Sequence, residues 1–158
     1  MDHWRNESDA QELARHLAGL PGIDSGRIAL LGELGAGKTT FVRHLLRSLG
    51  VSGPIKSPTY AVLEPHQADA THGDFAILHF DCYRFADPQE WEDAGFRELW
   101  DGPGLKLCEW PQRVPGLAES ADWQIHIQAL DASQREVRIL AHTPLGVSWL
   151  SSAQSGSI

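Results

Sequence analysis

The chain has 158 residues, enough for one hydrophobic core and too few for two. Its formal net charge of −8 at pH 7 argues against unaided binding to tRNA or DNA, because like charges repel. No run approaches the length of a membrane span, and the polar start MDHWRNESD lacks the apolar core of a signal peptide, so the cytoplasm is the expected address.

In chain order, Ser8 followed by Gln11 forms a capping-box pattern. Ala10, Leu13, Ala14 and Leu17 then share one face, which predicts a first helix stopped by Gly19, Pro21 and Gly22. Residues 27–31 form a short apolar run ending at Gly32, a buried-strand pattern. Residues 39–49 place Phe41, Val42, Leu45, Leu46 and Leu49 at helical spacing, with Gly50 as the stop. Two further strands are predicted at 60–63 and 75–80, joined by a polar loop over 65–73.

Asp87-Pro-Gln-Glu90 reads as the N-terminus of a short helix reaching about Ala94, and 96–100 as a second. Residues 105–108 make another strand. Trp123, Ile125, Ile127 and Ala129 alternate with polar residues, as do Val137, Ile139 and Ala141, and residues 131–133 make the turn of an antiparallel hairpin. Cys82 and Cys108 sit inside apolar runs and suit small buried thiols; a disulfide framework or metal site would need more ligands at tighter spacing. The expected architecture is α/β: a mixed sheet with flanking helices and a C-terminal antiparallel hairpin, in one domain over residues 1–142, with 143–158 a flexible tail.

Gly32-Glu-Leu-Gly-Ala-Gly37-Lys38-Thr39 matches G-x-x-x-x-G-K-[ST] between a predicted strand and a predicted helix, which makes the expected mixed sheet P-loop-NTPase-like. Glycines let consecutive backbone N–H groups turn inward around phosphates, and the positive end of the next helix helps hold the charge. Glu33, Leu34, Gly35, Ala36, Gly37, Lys38, Thr39 and Thr40 are therefore the candidate nucleotide-binding residues. Lys38 is placed to reach the β- and γ-phosphates and the Thr39 hydroxyl to bind Mg²⁺.

Such a loop needs an acid to seat Mg²⁺ and a group to orient the attacking water. Asp81 and Glu109 each end an apolar strand. If both strands run parallel to the first, both acids emerge at one sheet edge, where ligands bind in such folds. Spacing does not divide the two roles, and Trp110 reads equally as a site, core or surface residue. The only asparagine is Asn6, and none of the three lysines is followed two positions later by aspartate, so the guanine-reading N-K-x-D motif is missing and ATP is favoured. A small-molecule kinase needs an acceptor pocket and an arginine-bearing lid. Region 89–103 carries Arg97 but is acidic and tryptophan-rich, which makes a poor lid for a second anion. An ATPase whose turnover alters its grip on a partner is the favoured reading, with a small-molecule kinase or a nucleotide-binding scaffold without turnover as alternatives.

Four segments occur in order: the phosphate loop through Thr40, Lys56-Ser-Pro-Thr-Tyr60, His79-Phe-Asp-Cys-Tyr-Arg84 and Glu109-Trp-Pro111. Together they resemble the bacterial TsaE (YjeE) family over nearly the whole chain. The resemblance implies the ATPase component of the machinery that makes threonylcarbamoyladenosine at adenosine 37 of ANN-decoding tRNAs, working on a TsaB–TsaD heterodimer that handles the tRNA. It implies Mg²⁺ ligation by Thr39 and Glu109, a need for Asp81 in hydrolysis, a switch at Ser57, Pro58 and Thr59, and a nucleotide contact by Arg135. Arg84 suits either a phosphate or a neighbouring acid. Where the family has a threonine at the start of its first helix to receive the base, this chain reads Glu7-Ser-Asp-Ala10, which leaves the adenine contacts unassigned.

Overall fold

The computed structural model describes residues 2–56, 58 and 61–155. Twelve segments of regular structure carry the fold: β1 (Asp2–Trp4), α1 (Glu7–Ala18), β2 (Arg27–Leu31), α2 (Lys38–Ser48), β3 (Leu63–Gln67), β4 (Ala76–Asp81), α3 (Gln89–Asp93), α4 (Phe96–Asp101), β5 (Leu105–Glu109), β6 (Trp123–Ala129), β7 (Arg135–Ala141) and α5 (Pro144–Ser155). The strands form one sheet in the order β1-β7-β6-β2-β5-β4-β3. β6, β2, β5 and β4 run parallel, and β1, β7 and β3 pair antiparallel at the flanks. The sheet is thus mixed, with helices covering it.

Alternation along the central strands assigns their side chains to two clusters, one on each face of the sheet, so the single core expected from the length is divided by the sheet. Ile28, Leu30, Ile77, Leu105 and Leu107 face Phe41, Val42, Leu45 and Leu46 of α2 and Leu17 of α1. Ala29, Phe80 and Cys108 face the opposite way, against Trp91 and Trp100 of α3 and α4. Phe80 lies at the centre of that aromatic cluster, 5.1 Å from Trp91 and 5.3 Å from Phe96 between ring centroids. Cys82 and Cys108 are buried free thiols, as the apolar runs suggested.

The first helix starts one residue before Ser8, with Asn6 as its cap: Asn6 Oδ1 accepts from Ser8 N at 2.9 Å. Three other expectations need correction. The strand predicted at 60–63 is displaced to Leu63–Gln67, shortening the predicted loop, while Tyr60 lies outside the described residues. Pro65 signals a loop by sequence, yet β3 is the edge strand, where a missing N–H breaks no ladder. Asp2–Trp4 forms an additional strand paired to β7.

The expected flexible tail from 143 is instead the helix α5, over Pro144–Ser155. Trp149 anchors it: the indole is almost wholly buried, donates to Pro21 O at 2.8 Å and meets Trp123 edge-on at 5.7 Å. Thr143 Oγ1 donates to Asp122 Oδ1 and accepts from Gly146 N, closing the helix start.

Candidate functional site

The phosphate loop owes its shape to two glycines. Gly32 has φ 157°, and a Cβ there would lie 2.4 Å from Ile127 O, so only glycine lets the loop leave β2 beside β6. Gly37 precedes α2 in the left-handed region at φ 112°. Gly37, at the N-cap of α2, has no side chain to cap it, and no acid stands in the first turn, in contrast to α1, which carries Glu7 and Asp9 there. The first N–H groups of an eleven-residue helix with no capping side chain at Gly37 suit an anion.

Lys38 opens that helix and folds back over the loop. Its Nζ donates to Gly32 O at 2.5 Å and Glu33 O at 3.0 Å and lies 4.5 Å from the centre of the Trp110 ring. Burial lowers its pKa, while Glu109, Asp81 and Glu33 pull it back up. Trp110 thus lines the candidate site, held at φ 57° and packed 4.9 Å from the Tyr83 ring. Left-handed φ in a bulky residue is strain of the kind found at functional sites.

Both strand-end acids arrive as the topology requires. β4 and β5 run parallel, with Asp81 and Glu109 as direct register partners. Both carboxylates are buried. Glu109 Oε1 accepts from Thr39 Oγ1 at 2.8 Å, and Glu109 Oε2 lies 2.7 Å from His79 Nε2. Asp81 Oδ1 accepts from Tyr83 N at 2.9 Å, and its own N–H donates to Val62 O at 2.8 Å. Burial raises the Asp81 pKa; the Tyr83 N–H works against this and the Glu109 charge adds to it.

The donor set fits a hard divalent cation. Adjacent ligands of an octahedral ion bound at 2.0–2.1 Å lie roughly 2.9 Å apart. The Thr39 and Glu109 oxygens are 2.8 Å apart. A single hydroxyl and a single carboxylate suit Mg²⁺, which takes its other ligands from phosphates and water.

Two cavities meet at the loop. One of about 270 Å³ is lined by Gly37, Lys38, Thr39, Asp81, Glu109 and Trp110 among others. The second, about 280 Å³, is lined by Trp4, Asn6, Ala10, Gly37, Thr40 and Arg135 among others. Arg135 borders both, and its Nε donates to Ala36 O at 2.7 Å. A larger groove of about 610 Å³ lies between the loop and the β6–β7 hairpin, yet none of Lys38, Thr39, Asp81 or Glu109 lines it.

Of the sequence candidates, Gly35, Gly37, Lys38, Thr39, Thr40, Asp81, Glu109 and Arg135 converge on the first cavity together with Leu34. Glu33 and Leu34 are exposed at the loop tip, and Ala36 is buried behind it. Pro58 is buried and its carbonyl accepts from Val62 N, whereas Ser57 and Thr59 lie outside the described residues. Arg84 is exposed and lines neither of the two cavities. Arg97 is bound to Glu92 through two oxygens and lines neither of the two cavities. Sequence reasoning passed over His79, Tyr83, Trp4 and Asn6. His79 had a signal: it stands two residues before Asp81 and so shares its sheet face.

The family model for "Threonylcarbamoyl adenosine biosynthesis protein TsaE" matches residues 4–137. The chain belongs to the TsaE family. A TsaE named as a tRNA threonylcarbamoyladenosine biosynthesis protein in Haemophilus influenzae is 38% identical over 119 residues, 75% of this chain and 72% of that one. The TsaE of Rickettsia conorii is 33% identical over 144 residues, covering 90% of this chain and 78% of its own length. The crystal structure of Bacillus subtilis YdiB superposes with a TM-score of 0.74, covering 99% of this chain and 95% of that one at 21% identity, a likeness of fold. The TsaE match takes in the phosphate loop, both acids, His79 and Arg135, and ends before α5.

Proposed function

We propose that this TsaE chain is a Mg²⁺-dependent ATPase that serves tRNA threonylcarbamoyladenosine biosynthesis as a switch on a TsaB–TsaD complex, without performing the transfer itself. The observation that carries the reading is the Thr39–Glu109 oxygen pair, 2.8 Å apart beside an uncapped helix start and Lys38. The triphosphate lies along the N–H groups of residues 32–39. The base enters the cavity bordered by Trp4 and Arg135, which adjoins the loop at Gly37 and Thr40. Lys38 exchanges its two carbonyl partners for β- and γ-phosphate oxygens. Bound Mg²⁺ supplies neutralisation of charge on the phosphates. Asp81, a carboxylate with a raised pKa, orients the attacking water and receives its proton. The segment through Pro58, bonded to Val62 and so to the backbone of Asp81, couples the γ-phosphate to the partner surface.

The test is phosphate release from ATP by the wild type, Lys38→Ala and Asp81→Ala, each with and without the TsaB–TsaD pair. The wild type should turn over slowly alone and faster with the pair. Lys38→Ala should lose about a hundredfold, corresponding to ~2.7 kcal/mol of charge-assisted contact. Wild-type turnover that the pair leaves unchanged would refute the switch, and transfer of phosphate to a metabolite in place of water would indicate a kinase.

A further inference from the structure

Glu109 is gripped at both oxygens. Oε1 accepts from Thr39 Oγ1 at 2.8 Å and Oε2 meets His79 Nε2 at 2.7 Å, with less than a twentieth of either the His79 or the Glu109 side chain exposed. We infer that His79, which the proposed chemistry leaves without a role, is the positioning residue for Glu109, its imidazole fixing the carboxylate so that Oε1 stays beside the Thr39 hydroxyl. The inference rests on the reading of Thr39 and Glu109 as Mg²⁺ ligands.

The tautomer follows from the partners. Carboxylate oxygens only accept, so Nε2 carries the hydrogen and, in the neutral ring, Nδ1 is an acceptor. His79 Nδ1 is buried and has no hydrogen-bond partner among the described residues. A stranded acceptor is the cheaper defect; the other tautomer would strand an N–H and set two acceptors against each other. His79 is fixed in turn by its place in β4, between Leu78 and Phe80, with Glu64 opposite on β3 and Leu107 opposite on β5.

Remove the imidazole and Glu109 Oε2 becomes a buried, unsatisfied charged oxygen. The carboxylate then rotates to find another donor, and Lys38, which lines the same cavity, attracts it. That rotation dissolves the oxygen pair. Outer partners of metal ligands are commonly worth about 10–100-fold in metal affinity. His79 touches no phosphate in this scheme, so its loss should act on the metal requirement and spare metal-free nucleotide binding.

The experiment titrates a fluorescent N-methylanthraniloyl-ATP into the full chain, in EDTA and at stepped Mg²⁺, for the wild type, His79→Leu, His79→Gln and His79→Asn. Thermal melts check that each variant is folded. His79→Leu should raise the half-saturating Mg²⁺ about tenfold, at the low end of outer-partner effects, and leave binding in EDTA unchanged. Glutamine carries an amide N–H close to where Nε2 stood and should restore most of the loss; asparagine is too short to reach Glu109 and should not. If His79→Leu does not fold, the glutamine–asparagine pair decides by the same criterion. An unaltered Mg²⁺ requirement in the leucine variant, or glutamine no better than asparagine, overturns the inference while the ligand reading stands. A wild type whose nucleotide binding ignores Mg²⁺ removes the ligand reading and this inference together.

Discussion

Asp81 shows how a single side chain that lines the candidate site can weaken the fold. Its carboxyl ionises less readily in the folded protein than in the unfolded chain, chiefly through burial. For such a group the favourable contribution is fully present below the unfolded pKa and is lost as the pH rises through the raised folded value. At neutral pH the ionised Asp81 therefore destabilises the native state. Asp81→Asn keeps an acceptor for the Tyr83 N–H while removing the charge. It should melt a few degrees above the wild type at pH 7 and lose hydrolysis, the trade expected where a catalytic group is set against stability. The gain should shrink as the pH falls toward the ordinary aspartate value of 3.8. Melting curves at stepped pH decide it, and a variant that melts below the wild type at pH 7 would refute the account.

Among the elements, α5 carries the clearest energetic claim. Trp149 is packed so closely that a Cβ on Gly26 would lie 2.3 Å from its ring. Trp149→Ala should cost about 3–5 kcal/mol, the range for emptying a large aromatic site. In a chain of this size that is a fall in Tm on the order of 10 °C, measurable by calorimetry. Nucleotide affinity should change little, because α5 lines none of the three cavities at the loop. The helix was illegible in the sequence because Pro144, Gly146 and four serines read as a polar end; its order comes from Trp149 reaching Pro21 across the fold. β1 escaped for the same reason, since three residues become a strand only by pairing with β7. β2, α2 and the β6–β7 hairpin were legible because their signals are local: an apolar run, a helical repeat, an alternation around a turn. At the site, the loop and both acids could be read from spacing. The His79–Glu109 bond could not, because the partners lie on different strands.

For the whole molecule, the sheet gathers the candidate site at one edge. Three parallel strands deliver the loop, Asp81 and Glu109 to the same end, while the antiparallel flank adds Arg135. Against this stands the charge: 21 acidic residues and 13 basic ones, for a net −8. Phosphate contacts from lysine and arginine supply the salt-dependent affinity of most nucleic-acid binders, and non-specific binding by such proteins typically falls at about 10⁻⁴–10⁻⁶ M. A chain with this balance should sit beyond the weak end of that range, which predicts that tRNA reaches the proposed complex through a partner. Filter binding with tRNA at physiological salt should retain none at chain concentrations up to about 10 µM, well under the weak limit. Adding the TsaB–TsaD pair should bring tRNA onto the filter, with a salt slope that is the same whether or not this chain is present. Retention by the chain alone, weakening steeply with salt, would mean that it carries its own tRNA-binding face and would place it on the substrate rather than behind it.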